Sequence, residues 1–191
     1  MSPPLVAVLA ALVVGEAAAP PPPSSSALRR AAEAAGRARV RVLGSRTADG
    51  ALVGAEGQVL TLAGLVQGTA ALVELGAVRR PAHVLERFPQ LGLLLLSIDA
   101  EGPFPAPAAR LEPLLVGTWV VGLDEDGKTP LLGRVQEASG QTWFEVSLRL
   151  PPGSPVLDGE ARIAGVVTAR HRASSRVATL ASVRAQLGGA R

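Results

Sequence analysis

The chain has 191 residues, a formal charge of +3 and no cysteine, with eighteen Arg and one Lys set against sixteen acids. Disulfides, thiolate metal sites and a cysteine nucleophile are thereby excluded, and two histidines far apart in sequence, His83 and His171, argue against a histidine-rich metal site. Three Phe, two Trp and no Tyr leave an aliphatic core and few base-stacking partners. The basic residues are scattered apart from a mild cluster at Arg170, Arg172 and Arg176, so no nucleic-acid partner is expected, and nothing in the composition calls for a cofactor.

Leu5 to Val14 is an unbroken apolar run, followed by Gly15-Glu16-Ala17-Ala18-Ala19. Ten residues are too few to span a bilayer and suit the apolar region of a secretory signal. Residues 1–19 therefore read as an export leader, implying a periplasmic or secreted protein that meets a membrane only through this segment. No Lys or Arg precedes the run, and Pro20 follows the best Ala-x-Ala site. Cleavage after Gly15, or a disordered Ala/Pro-rich leader, are the alternatives.

Residues 20–26 form a Pro/Ser linker, extended and unable to pack a core. Ser26 then stands as N-cap for an Ala-rich helix over Ala27–Ala35, which Gly36 ends. From Arg37 onward the period becomes alternating. Arg39-Val40-Arg41-Val42 and Glu145 to Leu150 place apolar and polar residues on opposite faces, as half-buried strands do. Turn signals recur at Asp49-Gly50, Glu56-Gly57, Asp126-Gly127, Ser139-Gly140 and Asp158-Gly159. Many short strands so punctuated predict an antiparallel sandwich or barrel. The Pro/Ala-rich stretch Gly102 to Ala109 divides the β region into two halves, and Leu180 to Leu187 fits a closing helix ended by Gly188.

Five stretches, in order, resemble the trypsin-like serine proteases of the bacterial HtrA/Deg lineage. Leu60-Thr61-Leu62-Ala63-Gly64-Leu65-Val66 matches the strand and turn that carry that family's catalytic histidine, with Gly64 at its position. Ala82 to Ile98 matches the segment that carries the aspartate, with Gly92 in its place. Val116 to Leu123 and Gly133-Arg134-Val135 resemble the strands that open the second barrel. Pro152-Gly153-Ser154-Pro155-Val156-Leu157 resembles the nucleophile loop without its glycines, about two residues short.

The resemblance covers Ala27 to Leu187 and implies an all-β, chymotrypsin/trypsin-like double β-barrel with short N- and C-terminal helices, one domain over 27–188. No PDZ segment is expected after it, and oligomeric state is left open. The family triad positions are Gly64, Gly92 and Ser154. Ser154 is either the remnant nucleophile or the occupant of a former glycine position beside a deleted one. A serine hydroxyl needs a base, and the base an acid, and neither glycine supplies one. The resemblance thus implies a pseudoprotease that binds a protein segment or peptide through its interbarrel cleft or a strand edge. A structural or assembly module is the alternative. A live endopeptidase using Ser154 with His171 is a third reading.

Other candidates have plainer readings. His83 reads as a surface strand histidine and His171 as a solvated loop residue. Asp124, Glu125 and Asp126 read as a hairpin tip rather than a calcium loop. Trp119 and Trp143 read as half-buried packing residues, with an exposed ligand shelf at Trp143-Phe144 as the alternative.

Overall fold

The computed structural model describes residues 20–189, so the proposed leader lies outside the described residues. Helix α1 (Ser25–Ala38) leads into six strands: β1 (Arg39–Leu43), β2 (Thr47–Gly54), β3 (Gln58–Leu62), β4 (Ala70–Leu75), β5 (Val78–Phe88) and β6 (Leu93–Ile98). Six more follow: β7 (Trp119–Leu123), β8 (Pro130–Ser139), β9 (Trp143–Val146), β10 (Pro155–Asp158), β11 (Ile163–Arg170) and β12 (Ser175–Thr179). Helix α2 (Leu180–Gly189) follows β12. Each set of six is antiparallel and closes into a barrel, in the orders β1-β2-β3-β6-β5-β4 and β10-β11-β12-β9-β8-β7. The structure has the double barrel with a helix at each end that the sequence resemblance implied.

Why two barrels rather than one sheet is written in the strands that lack alternation. Leu93-Leu94-Leu95-Leu96 in β6 is buried on both faces. Leu94 and Leu96 point into the first barrel, with Val40, Leu52, Val59 and Val73. Leu93 and Leu95 face a second core, between the barrels, with Leu60, Leu157, Ile163 and Val166. A strand buried on both sides reads as a continuous apolar run. The third core fills the second barrel around Val120, Phe144, Val156 and Val167. Each fully buried Leu or Val is worth about 2 kcal/mol of transfer energy at most, so the interbarrel layer is as substantial as either barrel interior.

Several local expectations are corrected. The cap of α1 is Ser24, whose Oγ accepts from the Ala27 N–H at 3.2 Å, not Ser26. The helix runs through Gly36 to Ala38 because Ala31, Ala34, Ala35 and Ala38 form a small buried face on the interbarrel core; packing outweighs glycine's poor propensity. The linker's start is docked rather than free, since the Pro20 carbonyl accepts from Trp119 Nε1 at 2.9 Å. Strand β9 ends at Val146 rather than reaching Leu150. Beyond it Ser147 turns its hydroxyl to the Arg134 N–H and the Leu150 N–H donates to Ser175 Oγ, so Leu148 and Leu150 stay buried without a ladder. Helix α2 passes Gly188, and Thr179 Oγ1 caps its start by accepting from the Ser182 N–H at 3.0 Å.

Of the five turn signals, four fall at turns between strands, with Ser139 and Asp158 the last residues of β8 and β10. Asp49-Gly50 does not: both residues lie inside β2, paired with Arg41 and Val40 of β1. The β1–β2 turn falls at Gly44-Ser45-Arg46 instead.

The connection between the halves is anchored on the second barrel by Asp158, only 1% exposed at the β10–β11 turn. Its carboxylate accepts from Arg110 of the interbarrel connection at 3.0 Å and from Arg162 at 2.9 Å. It also accepts the backbone N–H groups of Glu160 and Arg162. The hydrogen bond to Asp158 pushes the Arg162 guanidinium pKa up further. Beside it, Arg110 N–H donates to the Ile163 carbonyl and Ile163 N–H to that of Ala108. Asp158→Ala strands two partly buried arginines and should lower the unfolding free energy by about 3 kcal/mol in urea denaturation. A loss below about 1 kcal/mol would contradict this role.

Candidate functional site

The structure brings two of the three sequence-derived positions together. Gly64 sits in a short 3-10 turn, Ala63–Leu65, directly after β3, and is exposed. Gly92 closes the turn between β5 and β6, also exposed, with φ +67°. The Ala63 N–H donates to the Gly92 carbonyl at 2.9 Å, so the two glycines stand side by side. No atom lies within 4 Å of where a Cβ on either would be. Space for a side chain is open at both positions, although the positive φ at Gly92 would strain one there.

Ser154 has partners of its own. It is fully buried, and its Oγ donates to Asp49 Oδ2 at 2.7 Å. Asp49, 7% exposed, is also paired with Arg39 through Nη2 at 2.8 Å. The Asp49 carbonyl accepts from Thr61 Oγ1 at 2.8 Å, three residues before Gly64. Arg39 continues across the interface, donating to the carbonyls of Asp124 at 2.6 Å and Glu125 at 3.1 Å in the β7–β8 hairpin. One buried carboxylate therefore joins β1, β2, the loop before β10 and the second barrel's first hairpin.

That loop is held in a form with no hydrogen-bond donor to spare. Pro151, Pro152 and Pro155 have no N–H. The Gly153 N–H donates to the Val167 carbonyl at 2.8 Å, and the Ser154 N–H to that of Pro151 at 3.1 Å. Gly153 has φ +93°, and a Cβ there would come 2.0 Å from the Asp49 carbonyl oxygen. Only glycine fits so close an approach of two backbones.

Neither histidine reaches this serine. His83 is an exposed residue of β5 whose Nδ1 is 2.6 Å from Asp99 Oδ1. His171 is exposed at the end of β11, with its N–H on the Ser174 carbonyl. The acidic trio is a hairpin tip. Asp126 accepts from the Thr129 and Lys128 N–H groups and from Thr129 Oγ1, and the first of these bonds leads in lowering its pKa to about 2. Glu125 is held below the usual range by hydrogen bonding to, and the charge of, Arg170. The Trp143-Phe144 shelf is not available either. Phe144 is buried in the second barrel, and the Arg176 guanidinium covers Trp143 at 4.5 Å from the ring centre. Trp119 is covered likewise by Arg134 at 4.0 Å.

Sequence reasoning missed Asp49 and Arg39, taking the first for a turn and the second for a strand's outer face. One signal was present. Gly44-Ser45-Arg46 already ends the alternation of Val40–Leu43, so a second turn at Asp49 would leave almost no strand between them.

A depression of about 790 Å³ lies between β1–β2 of the first barrel and the β7–β8 hairpin of the second. It touches Leu62, Pro151 and Pro152 at its edge but not Gly64, Gly92 or Ser154.

Two closed antiparallel barrels joined in this way are the trypsin-like serine protease fold. Among solved structures, the chain is similar to the Rv3671c protease of M. tuberculosis H37Rv in an inactive form, with TM-score 0.69 and 21% identity over 88% of this chain and 97% of that one. A serine-to-alanine mutant of Rv3671c, also in its inactive form, gives TM-score 0.70 and 20% identity over 88% and 94%. No family model matches the sequence, and no curated protein does.

The geometry separates the glycines by role. Gly64→Ala should change stability by less than about 0.5 kcal/mol. Gly153→Ala, forced against the Asp49 backbone, should cost about 3 kcal/mol or more. Thermal unfolding of the two variants side by side checks the contrast, and equal melting points would refute it.

Proposed function

We propose that this is a catalytically inert trypsin-like domain of HtrA type, exported, that acts by binding a segment of another protein. The observation that carries the reading is the state of the loop from Pro151 to Pro155. Its one hydroxyl is buried on a carboxylate and every backbone N–H in it is absent or used. Acyl transfer needs an activated nucleophile and free donors aimed at the developing oxyanion. Asp49 accepts the Ser154 proton's hydrogen bond, yet it is itself fixed by Arg39, and no histidine stands by to carry the proton to a leaving group. The HtrA assignment rests on the ordered run of segments around Gly64, Gly92, Val116–Leu123 and Ser154.

Binding is favoured by the groove. Closed barrels leave few free strand edges, so a segment would lie in the interbarrel depression rather than extend a sheet. A structural or assembly role on the same scaffold is the second reading. It is favoured by Leu115 and Val116, adjacent residues that stand 75% and 64% exposed just before β7.

Hydrolysis of unfolded casein by protein starting at Ser24 tests inertness. The expected result is no cleavage above that of Ser154→Ala. Ser154→Ala should instead lose about 2 kcal/mol of stability, because a hydrogen bond to a buried charge is removed. Gly64→His combined with Gly92→Asp should not restore cleavage, since the loop still lacks donors. Cleavage that disappears in Ser154→Ala would overturn the reading.

A further inference from the structure

The groove has a charge asymmetry that says what it is suited to hold. A second depression, about 380 Å³, shares Gly36, Arg39, Val40 and Gly76 with the first. The two make one trough, running from Pro152 past the end of α1 to Phe104-Pro105. Seven cations line it against four carboxylates.

All four carboxylates are already engaged. Asp49 holds Arg39 and Ser154. Glu74 holds Arg79 at 3.0 Å, and Glu125 holds Arg170. Asp126 accepts from its own turn. Arg39 and Arg170 are thereby matched. The other five cations, Arg37, Arg41, Arg46, Arg80 and Lys128, are exposed, and none makes an ion pair among the described residues. Arg41 shows this most clearly. It stands opposite Asp49 in the β1–β2 ladder and opposite Glu74 in the β1–β4 ladder, yet both carboxylates are given to other arginines.

We infer that the trough binds an acidic segment of a partner protein; this deepens the binding reading above and rests on it. Like charges gathered along a low-dielectric wall focus a positive potential and favour an anionic occupant. A nucleic acid offers the same charge but also bases that need aromatic faces. Among the described residues the only aromatic lining the trough, Phe104, is half-buried against the first barrel's core, and both tryptophans lie under arginines. Carboxylate side chains on a peptide need no such platform.

The test uses fluorescence anisotropy with a short labelled peptide alternating Glu and Val, its Gln counterpart, and an oligo-dT strand of similar length. The acidic peptide should bind, more weakly as salt is raised, and the Gln peptide at least about tenfold less tightly. Arg41→Glu with Arg46→Glu should weaken the acidic peptide about tenfold or more, while Arg172→Glu, exposed but outside the trough, should not. Circular dichroism confirms that the variants are folded. Equal binding of both peptides, unaffected by the reversal, would overturn the acidic preference and leave the binding reading standing. Preference for oligo-dT would overturn the inference in favour of nucleic acid. A dimer in light scattering that dissociates in the Arg41/Arg46 variant and excludes the peptide would overturn it in favour of a second copy. No binding of either peptide would sink both the inference and the reading beneath it.

Discussion

The arrangement turns on one buried carboxylate. Asp49 lies inside a strand, almost out of solvent, and is held there by two partners. An unpaired ion so placed would cost several kcal/mol. Arg39 supplies the countercharge and Ser154 a hydroxyl, and each is thereby fixed in position. Because Arg39 also holds the carbonyls of the β7–β8 hairpin, the same charge that fixes the serine fixes the two barrels against each other. The second barrel contributes the loop and the first contributes the carboxylate, so the site exists only when both are folded.

Other features follow from that contact. The backbone at Gly153 must come against the Asp49 carbonyl for Ser154 to reach the carboxylate, which explains a glycine at φ +93° between a proline and a serine. The prolines on either side leave the loop few donors, and those that remain go to Val167 of β11 and to Pro151. The serine hydroxyl accordingly points at the carboxylate and donates to it. The groove beside it is left basic because Asp49 pairs with Arg39 and leaves Arg41, directly opposite, with no ion pair among the described residues.

How much of this was legible depended on whether one strand's residues carried the information. The half-buried strands could be read, since Val40 and Val42 alternate with Arg39 and Arg41. The glycine at 64 and the glycine at 92 could be read from neighbouring residues, and the fold sets them side by side. Leu93 to Leu96 has no alternation because the interbarrel core buries its second face, so only resemblance located it. Asp49-Gly50 carried a turn's composition, and nothing local reveals that Arg39 and a serine more than a hundred residues away would take its carboxylate into a strand. The cap among Ser24, Ser25 and Ser26 was decided by where four alanines had to pack. The trough was beyond sequence reading altogether, since its free cations come from separate segments whose meeting is a property of the two barrels.

The central claim is that Ser154 is a structural hydroxyl and not a nucleophile. An alkyl fluorophosphonate, which reacts with a serine only when its hydroxyl is activated and reachable, addresses it most directly. Intact-mass measurement after prolonged exposure of the folded protein should show no added phosphonyl group. A single adduct mapping to Ser154, absent in Ser154→Ala, would show that the hydroxyl leaves Asp49 and reacts, and would contradict the account.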